Sequence, residues 1–146
     1  EESNGGFTAE TVSPWFPINP DYREWNVAAQ ESSSQRSVLA YFRELFALRR
    51  RERVLLRGSF EALSLPEAPG LFAFLRRGQV GRERILVAAN LADEPAEWGS
   101  LPQPGELLLS NRGGTPGNRG GTPENRGGAG GNRLEPWEAV VYRLDR

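Results

Sequence analysis

The run SSSQRSVLAYFRELFALRRRER, Ser32 to Arg53, decides the architecture, because the hydrophobic period changes where it ends. Within it Val38, Leu39, Tyr41, Phe42, Leu45, Phe46 and Leu48 recur at helical spacing. Ser32 and Gln35 fit the S-x-x-Q capping box. Arg49, Arg50, Arg51 and Arg53 stand where cations complement the negative end of a helix dipole. The spacing therefore predicts one helix over 32–53. At about 100° per residue its apolar positions cover roughly half the circumference, wider than the stripe of a typical surface helix. Such a face needs partners on two sides. The arginine run is explained more simply by a capped helix end than by nucleic-acid contacts.

After Arg53 the pattern changes to short strands. Val54–Leu56 and Ser59–Leu63 flank Gly58, and Leu71–Arg76 reads as a strand before a turn over Arg77–Gly81. Arg84–Leu91 carries the apolar run Ile85, Leu86 and Val87. Glu94–Trp98 reads as a short edge strand despite Pro95. Glu106–Ser110 and Glu138–Leu144 complete the set. Strands at close spacing with no helix between them indicate an antiparallel sandwich or curled sheet.

Two segments lack either period. Residues 1–31 hold Pro14, Pro17 and Pro20 among Trp15, Phe16, Tyr22 and Trp25, which favours an extended chain pinned by its aromatics. Between the last two strands Asn-Arg recurs at 111, 118, 125 and 132. From Asn111 to Arg133 only Ala129 is apolar, so each unit has nothing to bury and neither coiled coil nor solenoid follows. A disordered Gly/Arg-rich loop over 111–133, expanded by duplication, is expected. Its Arg-Gly-Gly triplets leave RNA binding as a minor alternative.

Composition limits the chemistry. The 146 residues contain no Cys, His or Met, and all 18 basic residues are arginine, for a net charge of -1. Usual zinc sites, Ser-His-Asp triads, Cys-His pairs and disulfides are therefore excluded. A near-zero charge argues against a dedicated nucleic-acid binder. No apolar run approaches a membrane span. Asp21, Asp93 and Asp145 read as solvated turn or terminal carboxylates. No phosphate-binding or nucleophile-elbow motif is present. A chain that starts at Glu1 and holds no Met is expected to be processed, trimmed or a fragment.

The run Asn4-Gly5-Gly6-Phe7-Thr8, then Pro14-Trp15-Phe16-Pro17-Ile18-Asn19-Pro20-Asp21-Tyr22 and Trp25-Asn26-Val27, resembles a specific pattern. It is similar to N-A-G-F-T, P-W-I-P-V-N-P-N-Y and I-N-V of the oligo-1,6-glucosidase-like branch of glycoside hydrolase family 13, the α-amylase superfamily. The resemblance continues through Ser37-Val38-Leu39, Tyr41, Leu45 and Leu48-Arg49-Arg50. Arg57-Gly58-Ser59-Phe60, Asn90-Leu91-Ala92-Asp93-Glu94 and Leu134-Glu135-Pro136-Trp137-Glu138-Ala139 fit the domain that follows. Gly5 and Trp25 depart from the family pattern, and the heptad insertion is unusual.

The resemblance implies a mainly β fold. It would be a C-terminal antiparallel β-sandwich domain, preceded by a long loop and the last helix of a (β/α)8 barrel whose remainder is absent. Residues 1–53 would be the barrel remnant, with the loop at 1–31 and the helix at 32–53. Residues 54–146 would be the β-domain. It further implies a cytoplasmic retaining α-glucosidase for α-linked gluco-oligosaccharides, without cofactor or metal. The catalytic residues would lie upstream, none of them in this chain, with Asn4 and Phe7 close to substrate by position. The expected partners are the remaining barrel and the oligosaccharide substrate, with no nucleic acid and no membrane. Trehalose synthase or sucrose isomerase chemistry on the same fold is the alternative. A second alternative is a stand-alone carbohydrate-binding module stacking sugars on Trp15, Trp25, Trp98 or Trp137.

Overall fold

A computed structural model describes residues 3–33, 35–78, 83–102, 105–112 and 133–144. The chain divides into two compact units, Glu1–Arg43 and Glu44–Arg146, and the division falls inside a helix.

In the first unit, turns stitched by asparagines replace the plain extended chain expected over 1–31. A short 3-10 segment, Pro20–Arg23, is capped by the Asn19 side chain, which accepts from Asp21 N. The helix α1 (Val27–Ser32) starts at Asn26, whose side-chain oxygen Oδ1 accepts from Ala29 N at 2.8 Å. The same side chain donates back to the carbonyls of Tyr22 and Arg23. Two turns are thus joined through one residue.

The expected single helix over 32–53 is instead three elements. At Ser33 the backbone turns extended, which ends α1. The helix α2 (Val38–Arg51) begins after Ser37, whose hydroxyl accepts from Ala40 N at 3.2 Å and whose carbonyl accepts from Tyr41 N. Ser37 is therefore the N-cap. The Ser32–Gln35 capping box does not form, because Ser32 belongs to the preceding helix and its hydroxyl donates to the Ala28 carbonyl. Glu52 interrupts the helical backbone, and α3 (Arg53–Arg57) follows. Val54–Leu56 is thus helical, not a strand. A three-residue apolar run is ambiguous between the two states, and here Leu55 N donates to the Glu52 carbonyl and Gly58 N to the Val54 carbonyl, which is helical pairing.

The second unit carries an open antiparallel sheet in the order β1 (Ser59–Leu63), β2 (Leu71–Arg77), β3 (Arg84–Asn90), β7 (Ala139–Arg143), β5 (Glu106–Ser110). A two-stranded piece, β4 (Ala96–Glu97) with β6 (Arg133–Leu134), completes the fold. Period-two alternation sends Leu71, Ala73 and Leu75 of β2 inward, opposite Asn90, Ala88 and Leu86 of β3. Val140 of β7 joins this layer, which packs against Trp98, Leu101 and Leu134. A bulge between Leu107 and Leu109 shifts the register of β5 on β7. On the other side of the sheet α3 lies against β2 and β3. Farther along that side Phe74 meets Phe60 and Phe72 in tilted contacts, at 5.0 and 5.8 Å between ring centroids.

Gly58 permits the tight step from α3 into β1. A Cβ there would lie 2.5 Å from the Val54 carbonyl oxygen and 2.6 Å from that of Arg77. The edge strand expected at Glu94–Trp98 is shorter, because Pro95 cannot donate to a ladder. Its partner β6 has no counterpart among the expected strands, since two residues show no period. Of the loop expected over 111–133, residues 113–132 lie outside the described residues, as does Asp145.

Candidate functional site

The two residues expected near substrate sit in one tight turn. The backbone is left-handed at Asn4, Gly5 and Gly6, with φ of 55°, 61° and 78°. Asparagine tolerates that region better than other side-chain-bearing residues. The Asn4 amide donates to Thr8 Oγ1 at 3.0 Å, to the Ala9 carbonyl at 3.0 Å and to the Val12 carbonyl at 3.1 Å. Its two N–H groups are thereby shared among three internal acceptors. Phe7 N donates to the Asn4 carbonyl, and the Phe7 side chain is 80% exposed. A Cβ at Gly5 would meet the Tyr22 ring at 3.4 Å and the Phe7 ring at 3.5 Å. Asn4 thus organises the loop, and Phe7 presents a face from it.

The tryptophans separate into two kinds. Trp15 is 93% exposed and meets Phe16 edge to face at 4.6 Å. Trp25 and Trp137 are exposed as well. Trp98 is 2% exposed, inside the core, and its Nε1 has no hydrogen-bond partner among the described residues. Trp98 is therefore no stacking face, which removes it from the set proposed for a carbohydrate-binding module. Among the described residues no group of three or more His, Cys, Asp or Glu could hold a metal ion. No helix among them is long and apolar enough to cross a membrane.

Sequence patterns did not reveal two polar centres in the second unit. One surrounds Glu52, which receives Arg143 at 2.8 Å and Arg51 at 3.0 Å. Arg143 also reaches Glu106 on the neighbouring strand at 2.5 Å. Burial alone would raise the Glu52 carboxyl, but the hydrogen bonds and charges of Arg143 and Arg51 outweigh it and hold the group below the usual carboxylate range. The other centre is the turn Glu135–Glu138, tied to Asn90, Asn111 and Arg112. The run Leu134–Ala139 stood out in the sequence, but its partners did not, since they come from segments distant in the chain.

The family model for the catalytic domain of α-amylases matches residues 1–58. The chain is 31% identical to the oligo-1,6-glucosidase of Parageobacillus thermoglucosidasius, over 99% of the chain and 24% of that protein. Among solved structures, the isomaltulose synthase of Klebsiella sp. LX3 is similar at a TM-score of 0.70 and 27% identity, covering 99% of this chain and 24% of that one. The trehalulose synthase of Pseudomonas mesoacidophila MX-45 is similar at a TM-score of 0.70 and 25% identity, over 93% and 23%. The chain thus spans about a quarter of the length of these relatives, which include both a hydrolase and synthases. The alignment over 99% of the chain shows homology to the oligo-1,6-glucosidase-like enzymes of glycoside hydrolase family 13, of which the chain corresponds to a small, C-terminal-like part.

Proposed function

We propose that this chain is a non-catalytic segment of a longer family 13 enzyme that acts on short α-linked glucosides. In this reading residues 1–53 complete the catalytic barrel, and residues 54–146 form a β-domain that packs on the barrel and stabilises it. The observation that carries it is an alignment over 99% of the chain to 24% of a relative. The match of the α-amylase catalytic-domain model to residues 1–58 supports the partition. So do the exposed Val38, Phe42 and Phe46, spaced four apart on α2, and the exposed Phe60 and Phe72 on the sheet. Asn4 would hold its loop at the mouth of the active site and Phe7 would face substrate there. A cytoplasmic site of action is proposed on the family resemblance.

For the whole enzyme, isomerase or synthase chemistry is the reading we favour, on the likeness to isomaltulose and trehalulose synthases. Hydrolysis is the second reading, favoured by the higher identity to an oligo-1,6-glucosidase. Both run through a glycosyl-enzyme intermediate in a retaining mechanism and differ in whether sugar or water attacks it. Incubating the full-length enzyme with sucrose and resolving the products separates them. Isomeric disaccharides as main products support the first reading, and free glucose and fructose alone support the second. The isolated 146-residue chain is expected to leave p-nitrophenyl α-glucoside intact, and turnover by contaminant-free chain would overturn its non-catalytic role.

A further inference from the structure

Trp137 occupies a backbone conformation that its residue type disfavours. It is the third residue of the turn Glu135-Pro136-Trp137-Glu138, closed by Glu138 N donating to the Glu135 carbonyl at 3.1 Å. Its φ is 57°. Proline second and positive φ third is the pattern of a type II turn, in which the third position favours glycine or asparagine. A tryptophan there is strained, and burial does not repay the strain, since the residue is 60% exposed.

The rest of the turn holds that conformation in place. Trp137 N donates to the Ala92 carbonyl at 3.3 Å, and the Trp137 carbonyl accepts from Asn111 Nδ2 at 2.8 Å. The Pro136 carbonyl accepts from Arg112 at 2.5 Å. The Glu135 carbonyl also accepts from buried Asn90 at 3.1 Å, and Glu135 N donates to the Glu138 carboxylate at 2.9 Å. An exposed indole is thus presented on an over-determined backbone. The side chains that clamp it are polar, and the Arg112 guanidinium carries further N–H donors beyond the one given to Pro136.

We propose that Trp137 is the stacking platform of a saccharide-binding site on the β-sheet unit, taking a neutral pyranose of an α-linked gluco-oligosaccharide. The C–H face of the ring lies on the indole, and Arg112 donates to its hydroxyls. The choice of a sugar rests on the carbohydrate-active family reading. The experiment reads binding and not turnover, so its failure leaves that reading standing.

The indole Nε1–H signals of the 146-residue chain are followed by NMR during titration with maltotriose and with isomaltotriose. The Trp137 signal, assigned by its loss in Trp137→Phe, is expected to shift saturably while that of buried Trp98 stays in place. Trp137→Gly relieves the backbone, so its unfolding midpoint should hold or rise while saccharide binding weakens by about tenfold or more. A Trp137 signal unmoved by either sugar overturns the proposal. Shifts confined to Trp15 or Trp25 do the same. A midpoint for Trp137→Gly lowered as far as for a core truncation would mark Trp137 as a packing residue and overturn it too.

Discussion

Asn90 is a polar side chain at 1% exposure, and its partners explain why it is tolerated. Its oxygen accepts from Ala92 N at 3.1 Å, and its amide donates to the carbonyls of Glu94 at 2.7 Å and Glu135 at 3.1 Å. One residue thereby joins the end of β3, the segment before β4 and the Trp137 turn. Asn90→Ala leaves those buried groups unpaired and should cost about 2–3 kcal/mol, read from the urea unfolding midpoint. Asn90→Asp should also destabilise, because it loses the donors. If both variants unfold like the parent chain, the hub is not structural. The residue was legible as part of the run Asn90–Glu94, but its role was not, since Glu135 lies on a segment distant in sequence. Trp98 and Trp137 make the same point: identical side chains, one enclosed by the core and one held outward on a turn.

At the scale of elements, the start of α2 carries the clearest consequence. Ser37 caps the helix through its hydroxyl and its carbonyl. Ser37→Ala should lower the thermal stability of α2 by about 1 kcal/mol, followed by circular dichroism. Ser32→Ala should leave α2 unchanged, and equal effects of the two substitutions would restore the capping box that the sequence suggested. Both serines precede the same apolar run, so local pattern alone could not choose between them. What separates them is Asn26, which starts a short helix that consumes Ser32. The strands were more legible. Alternation in Leu71–Arg77 and a continuous apolar run in β3 follow from one face, or both, being covered.

For the sheet-bearing unit as a whole, the junction of Glu52 with Arg143 links the helical break to the last strand. Glu52 is 13% exposed on its side chain, so its pair is less screened than the surface pairs around it. Its carboxyl is held below the ordinary value by Arg143 and Arg51, against the opposing effect of burial. A depressed carboxylate contributes stability that is complete above its unfolded pKa of about 4.3 and is lost as pH falls through the lower folded value. Glu52→Gln should therefore cost about 1 kcal/mol at neutral pH. It should also flatten the acid limb of the unfolding curve below about pH 4.3. An unchanged acid limb in Glu52→Gln would show that other carboxylates set it.

The sequence by itself determined that helical chain precedes the strands, the antiparallel class and the family resemblance, because periodicity, turn residues and short runs such as Asn4–Thr8 are local properties. Only the tertiary structure decided which serine caps α2, that Val54–Leu56 is helical, and which tryptophan is buried. It also decided where Asn90 and Glu52 find their partners. The burial of Trp98 and the pairings of Glu52 with Arg143 and Asn90 with Glu135 depend on contacts between residues far apart in the chain. Burial and charge pairing at such distances exist only once the sheet has closed around them.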